Sequence, residues 1–455
     1  MNAPARRPAR RPAARPTTAT ATTAPLAMAM ALLLATVTGC AGGTGAGTGN
    51  GSGSSSDDKA AVSSLTVLDY YTDAPEHQQW EEALASCGKA AGVGIEHTSV
   101  PPASLVPRVL RQASSRTLPD LLMLDNPDLQ QIAGAGALAP LDEFGVDTQG
   151  VTEGILSAGT YDGKVYGLAP YVSTVALFYN KDMLAEAGVA VPRTWDELRT
   201  AAARLTRPGR YGMAVDANAT FEGTWQFLPF LWSNGGDETK LDTSEAAGAL
   251  RLWTDLVTSG SMSKSVLTWD QGDVHDQFAA GRTAMMINGP WRIPALDKLD
   301  QLDKDDKNGK SGKNGKLKWG VAPVPVPRAG QRPVTPLGGE VWTVPRSDSP
   351  ARQRKAAEVL GCLNDSSHSL ALATQHHTVP SRTAVAARYA ERNPSMGVFV
   401  DSVGDARVRT ARLGVRWPKA ATGIYTAIQS ALAGRQTPEE ALRDAQRIAT
   451  DDDGA

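Results

Sequence analysis

The sequence predicts a layered α/β fold with a parallel core sheet. Short runs of β-forming residues recur along the chain, capped amphipathic segments separate them, and the C-terminal third reads mostly as helix. Strands that alternate with helices pack as a sheet under helical layers. SLTVLDYY (64–71) alternates apolar positions and reads as the first strand. From Pro75 to Ala91 the period is helical, with Trp80, Leu84 and Cys87 on one face. LPDLLMLD (118–125) is a continuous apolar run, as in strands buried on both faces. TVALFYN (174–180) is another strand, and KDMLAEAG (181–188) is a helix closed by Gly188. TWDELRTAAARLT (194–206) opens with Thr194 and carries Glu197 three residues on, which makes a capping box. TAMMING (283–289) and VWTVP (341–345) are further strands, and helices are expected over 350–363, 366–374, 418–433 and 438–449.

The start of the chain has a different character. Residues 1–16 carry Arg6, Arg7, Arg10, Arg11 and Arg15 and no acid. An apolar run follows from Leu26 to Val37. It is shorter than the roughly 20 residues of a permanent span and fits the core of a secretory signal. The run ends in Val37-Thr38-Gly39-Cys40, which resembles the lipobox of bacterial lipoproteins. The resemblance implies cleavage of a signal peptide (1–39) before Cys40 and lipid on its thiol and amine. That would leave the protein exported and anchored on the outer face of the bacterial cytoplasmic membrane. Residues 40–60 are rich in Gly and Ser, a composition that behaves as a flexible tether. Removing 1–39 takes the formal charge from −2 to −7, which argues against a nucleic-acid partner. At roughly 150 residues per domain, the rest of the chain allows two or three domains. Residues 297–318 are charged, Gly-rich and almost free of apolar groups, so a solvated surface insertion is expected there. In an oxidising compartment Cys87 and Cys362 are either a possible disulfide or two buried thiols.

Five separated blocks carry a resemblance: YDGKVYGLAPY (161–171), ALFYNKDMLAEAGVAVPRTWDEL (176–198), FAAGRTAMMINGPW (278–291), GGEVWTVP (338–345) and GRQTPEEALRDAQ (434–446). In order and approximate spacing they are similar to the extracellular solute-binding proteins of carbohydrate importers, the group that includes maltodextrin-binding proteins. The resemblance implies a two-lobed, periplasmic-binding-protein-like fold with a ligand cleft between the lobes. It implies three hinge crossings, near 168–175, 338–341 and 375–381. The N-terminal lobe would hold 61–170 plus 340–378, and the C-terminal lobe 171–339 plus 379–455. Cys87 and Cys362 then share a lobe, which permits a bridge. The implied function is capture of a sugar or oligosaccharide by lobe closure and delivery to the permease subunits of an ABC importer. The protein would act as a monomer and would be neither an enzyme nor dependent on a cofactor. A non-sugar solute such as a glycerophosphodiester or a peptide is the alternative within the same fold.

A sugar site combines flat aromatic rings, which pack on C–H faces, with groups that bond hydroxyls. The chain has ten Trp against nine Tyr and seven Phe. Trp80, Trp253 and Trp195 read as packing residues. Trp291 in NGPW is the leading platform, because the resemblance places a stacking aromatic there. Trp342, after Gly338 and Gly339, faces either ligand or core. Trp225, Trp232, Trp417 and Tyr171 complete the aromatic candidates. Ligands of α/β sheets sit beyond the carboxyl ends of strands. This points to Asp73 and to Asp125 with Asn126, while Asp270 and Glu340 are candidates in the second lobe and at the hinge. Each carboxylate could equally be a helix cap or a surface charge. Arg382 in VPSR resembles a position that sometimes reaches the cleft. Gly339 would let backbone approach a sugar or flex at the hinge. No Ser/His/Asp hydrolase motif appears, and Asp270 with Glu340 has no glycosidase signature around it. His376 and His377 are adjacent and cannot both face one ion on a regular helix, and no CxxC or HExxH occurs, so no metal site is expected.

Overall fold

The computed structural model describes residues 62–302 and 317–450. The expected signal peptide, Cys40 and the expected tether lie outside them. The first half of the described chain runs β1 (Ser64–Asp69), α1 (Glu76–Ala91), β2 (Gly94–Ser99), α2 (Pro102–Ser115), β3 (Leu121–Asp125), α3 (Leu129–Gly134), β4 (Leu138–Ala139), α4 (Glu153–Leu156), β5 (Thr160–Tyr161), β6 (Lys164–Val165), β7 (Gly167–Leu168), β8 (Tyr171–Val172) and β9 (Ala176–Asn180). Five helices follow: α5 (Lys181–Glu186), α6 (Trp195–Leu205), α7 (Phe221–Ser233), α8 (Ser244–Thr258) and α9 (Gln271–Ala279). Then come β10 (Met285–Asn288), α10 (Ile293–Leu302), β11 (Trp319–Ala322), β12 (Glu340–Pro345), α11 (Pro350–Leu363), α12 (Ser366–His376), β13 (Val379–Pro380), α13 (Thr383–Arg392), α14 (Gly397–Gly404), α15 (Trp417–Leu432) and α16 (Pro438–Thr450).

Two sheets organise two lobes. The larger has the order β2-β1-β3-β12-β4, with β7 also on β12. β1, β2 and β3 are parallel, and β12 returns antiparallel to β3. The smaller sheet, β10-β9-β11, is antiparallel throughout. The expectation of a parallel core sheet therefore holds for β2-β1-β3 and is corrected at β12 and in the smaller sheet. Alternation of strands and helices fixes the layering, but direction depends on the connections. Several helices intervene between β9 and β10, so the chain can re-enter the sheet from either end.

The sequence signals act locally as read. Thr194 accepts from the Glu197 amide while the Glu197 carboxylate accepts from the Thr194 amide, so α6 starts with both orphan donors satisfied. β3 is fully buried along Leu121–Leu124. Helix α10 runs to Leu302, so the start of the 297–318 stretch is helical rather than an unstructured insertion. Leu296 is fully buried and Leu299 packs on the same cluster, which supplies the apolar surface that holds this helix. Residues 303–316 lie outside the described residues. Cys87 on α1 and Cys362 on α11 form a disulfide, with Cα atoms 5.6 Å apart.

Three chain segments run side by side between the sheets. β8 pairs with β13, matching Tyr171 with Pro380, and Ser173 bridges Gly338. A Cβ at 338 would lie 2.7 Å from Ser173 Oγ and 3.0 Å from the Trp225 ring. At 339, φ is +118° and a Cβ would lie 3.0 Å from the Tyr171 carbonyl. Two glycines are what let these segments approach and turn here.

Candidate functional site: a cleft at the hinge

On the wall formed by the larger sheet, β1 and β3 end at the cleft and β12 begins there. Glu340 stands opposite Asp125 in the antiparallel register. Like charges in that position repel unless each has a partner. Tyr70 Oη donates to Glu340 Oε1 at 2.5 Å, and Arg409 Nη2 meets Asp125 Oδ1 at 2.9 Å. Arg409 also donates to Asn126 Oδ1 at 3.1 Å, and Asn126 Nδ2 donates to the Leu337 carbonyl. Burial raises the Glu340 pKa, and the Tyr70 hydrogen bond partly offsets this. Burial also raises Tyr70 and Tyr71 well above the usual phenol value, with Glu340 adding to it, so both rings remain donors. Asp128, beside Asp125, is pushed up to about 7 by burial first and by Asp125 second.

On the opposite wall, Gly289 lets the chain fold Trp291 back over its own turn, since a Cβ at 289 would collide with that ring. Trp291 is half-buried and stacks on Trp225, with centroids 5.8 Å apart and planes at 27°. Trp225 Nε1 has no partner within the protein. Around this pair stand Asp216, Glu222, Asp270 and Arg292. The carboxyl of Glu222 feels Asp216, Asp270 and Arg292, and also Asp125 from the other wall. Asp216 is fully buried, and its carboxyl lies against that of Glu222. Burial, followed among the raising effects by the Glu222 charge, pushes it up to about 8. Glu222 is raised mainly by desolvation. Burial lowers Arg292 while Asp270 opposes it, and Arg292 Nε donates to no protein group. Aromatic faces, a cluster of carboxyl groups and the free Arg292 Nε edge suit a ligand of many hydroxyls.

The remaining candidates divide. Trp342 is fully buried, two residues along β12 from Glu340 on the same face, so it lies a layer beneath the cleft, 5.0 Å from Trp80. It is core. Trp417 opens α15 inside the C-lobe cluster, 1% exposed, and does not reach the cleft. Trp232 sits at the far end of α7. Its Nε1 donates to Glu238 at 2.6 Å and Arg407 covers its ring at 4.8 Å, so both its edge and its face are occupied. Arg382 donates to the carbonyls of Asn364, Gln149 and Asp147, which ties backbone segments together and leaves nothing for a ligand. Tyr171 is buried and bonds the Tyr71 hydroxyl at 3.1 Å, so it supports the wall from behind. Asp73 is exposed in the loop after β1. Asp270 caps α9, accepting from the Asp273 amide at 2.8 Å, while still facing Arg292. Sequence reasoning missed Tyr70, Tyr71, Asp216, Glu222, Arg292 and Arg409. For the tyrosines the signal was present, since they follow the first strand at its carboxyl end.

Two lobes, a glycine hinge and a cleft with groups from both walls are the architecture of a binding protein. The family model for bacterial extracellular solute-binding proteins matches residues 82–396, more than half of the chain. The chain belongs to this family. A putative binding protein of Brucella abortus is 25% identical to this solute-binding protein over 366 residues, covering 78% of this chain and 84% of its own. The maltooligosaccharide ABC transporter solute-binding lipoprotein of Streptococcus pneumoniae is 24% identical over 302 residues, covering 63% of this chain and 65% of its own. Among solved structures, the cyclic α-maltosyl-1,6-maltose binding protein of Arthrobacter globiformis superposes with a TM-score of 0.72 at 25% identity, covering 86% of this chain and 98% of that one.

Proposed function

We propose that this solute-binding protein captures an oligosaccharide in the cleft and delivers it to the permease of an ABC importer. The observation that carries the reading is the Trp225–Trp291 stack backed by the hinge glycine, with Glu222, Asp270 and Arg292 beside it. The relatives named for maltooligosaccharides and a cyclic maltoside agree with it. Sugar rings would pack on the half-buried Trp291. Their hydroxyls would bond the carboxyl groups, Tyr70 and the Arg292 edge. A ligand that touches both walls favours the closed arrangement, because only there does it gain both sets of contacts. The three adjoining segments support domain limits near 170, 339 and 379. We further read Cys40 as the lipid anchor of an exported, membrane-attached monomer.

A thermal-shift and calorimetric screen of the full-length protein in detergent tests this, with linear gluco-oligosaccharides, glycerophosphodiesters and short peptides as probes. A ligand that binds only the folded state raises the melting temperature. The expected result is a rise with oligosaccharide that is lost in Trp291→Ala. A rise with the phosphodiester or peptide alone would remove sugar as the substrate and keep the capture role.

A further inference from the structure

Phe221 is 43% exposed, and among the described residues only Tyr211 and Val415 are comparably exposed large apolar side chains. It is not isolated. Its ring lies 6.4 Å from that of Tyr425 on α15, tilted at 43°. It opens α7 and immediately precedes Glu222, whose carboxyl faces both walls of the cleft. Phe221 and Trp225 are four residues apart on one helix, so they share a face and stand about 6 Å apart along the axis, close to the scale of one sugar ring with its linkage. Trp225 is the inner member, against Gly338 at the hinge and stacked on Trp291. The aromatic stripe on α7 thus runs from the floor of the cleft outward to the exposed Phe221, which meets the half-buried Tyr425.

We propose that Phe221 and Tyr425 form an outer sugar subsite that selects longer oligosaccharides. The proposal rests on the oligosaccharide reading of the cleft. A ring bound at Trp291, over the buried Trp225, belongs to any ligand of two units or more, whereas only a longer chain reaches the outer pair. Such a chain shields apolar surface at 221 that otherwise stays in water. Length preference is then set outside the polar cluster, by residues that make no hydrogen bond to the ligand core.

The test is calorimetric titration of the full-length protein, and of Phe221→Ala, Tyr425→Ala and Phe221→Trp, with linear α-1,4-linked glucose oligomers of two and of six units. The expected outcome is a loss of about five- to tenfold in affinity for the six-unit oligomer in each alanine variant, the scale of one aromatic contact. The two-unit affinity should stay within about twofold, and Phe221→Trp should keep the six-unit affinity. Equal losses for both lengths would overturn the subsite, as would no loss for either. Unchanged sugar affinity with lost stimulation of the importer ATPase would overturn it in favour of a permease contact. A wild-type protein that binds neither oligomer would bring down the oligosaccharide reading itself, and the subsite with it.

Discussion

The two lobes use tryptophan in opposite ways. In the N-terminal lobe Trp80 and Trp342 are wholly buried and pack on each other beneath the sheet. In the C-terminal lobe Trp225 and Trp291 stack at the cleft, and Trp291 keeps part of its surface in water. The difference follows from position along an element. Trp342 lies inside a strand flanked by β3 and β7, where every side chain is covered. Trp291 follows the end of a strand, on a turn that only glycine at 289 permits. An aromatic residue in a strand builds the lobe, and one just past its end is free to meet a ligand. The largest expected effect separates these roles. Trp342→Ala should cost about 3–5 kcal/mol of stability, as other deletions of buried aromatics do, and lower the melting temperature measured without ligand. Trp291→Ala should leave that temperature nearly unchanged. If both variants destabilise equally, the contrast is wrong.

The lobes also differ in how they are fastened. A disulfide ties α1 to α11 across a sequence separation of 275 residues, whereas the chain from 171 to 339 and from 379 onward contains no cysteine. Closing so long a loop removes much unfolded-state freedom, and loss of the bridge should cost about 2–5 kcal/mol. Cys362→Ser, followed by amide hydrogen exchange, should loosen β1, β2 and α1 before β9 and β10. Uniform loosening of both sheets would mean that the lobes do not open separately. A smaller effect belongs to the cleft. Trp291→Ala should weaken binding of the cognate oligosaccharide by about 2 kcal/mol, the scale of one buried aromatic contact. Titration calorimetry measures it, and an unchanged affinity would move the sugar away from Trp291.

The uneven legibility of the sequence has the same origin. β1, β3, α6 and the C-terminal helices announce themselves through alternation, apolar runs and caps, which are properties of neighbours in the chain. Glu340 and Trp291 were legible because they stand at strand ends inside distinctive blocks. Glu222 was not. Its helix, FEGTWQFLPFLWS, is buried nearly all round and contains Gly223 and Pro229, so it shows no polar face and no clear period. Trp417 and Trp232 are buried rather than at the cleft, and Trp342 stood open between ligand and core, because composition cannot tell a ring beneath a cleft from one within it. Arg382 and Arg409 look alike in sequence. One is consumed by distant carbonyls and the other reaches across to Asp125, and only tertiary contact separates them.

The two walls finally differ in how they hold carboxyl groups. Glu340 on the N-terminal side receives the Tyr70 hydroxyl, which offsets part of its burial. Asp216 on the C-terminal side is fully buried against the Glu222 carboxyl, and its pKa is pushed up to about 8. A carboxyl raised above its unfolded value favours the folded state while protonated. Its contribution is complete below the ordinary value of 3.8 and is lost as pH rises through about 8. The ligand-free protein should therefore lose melting temperature as pH rises from 6.5 to about 8 and level off above that. His376, held down to about 4 by burial, acts only on the acid side of its ordinary value of 6.5 and does not interfere in that window. Asp216→Asn stays neutral throughout and keeps an oxygen for the Asn218 amide, which donates to Oδ1 at 3.0 Å. It should flatten most of the slope. Asp128, at about 7 on the other wall, contributes to what remains, as do the raised carboxyls of Glu222 and Glu340. A slope as steep in Asp216→Asn as in the wild type would show that Asp216 does not carry the titrating proton.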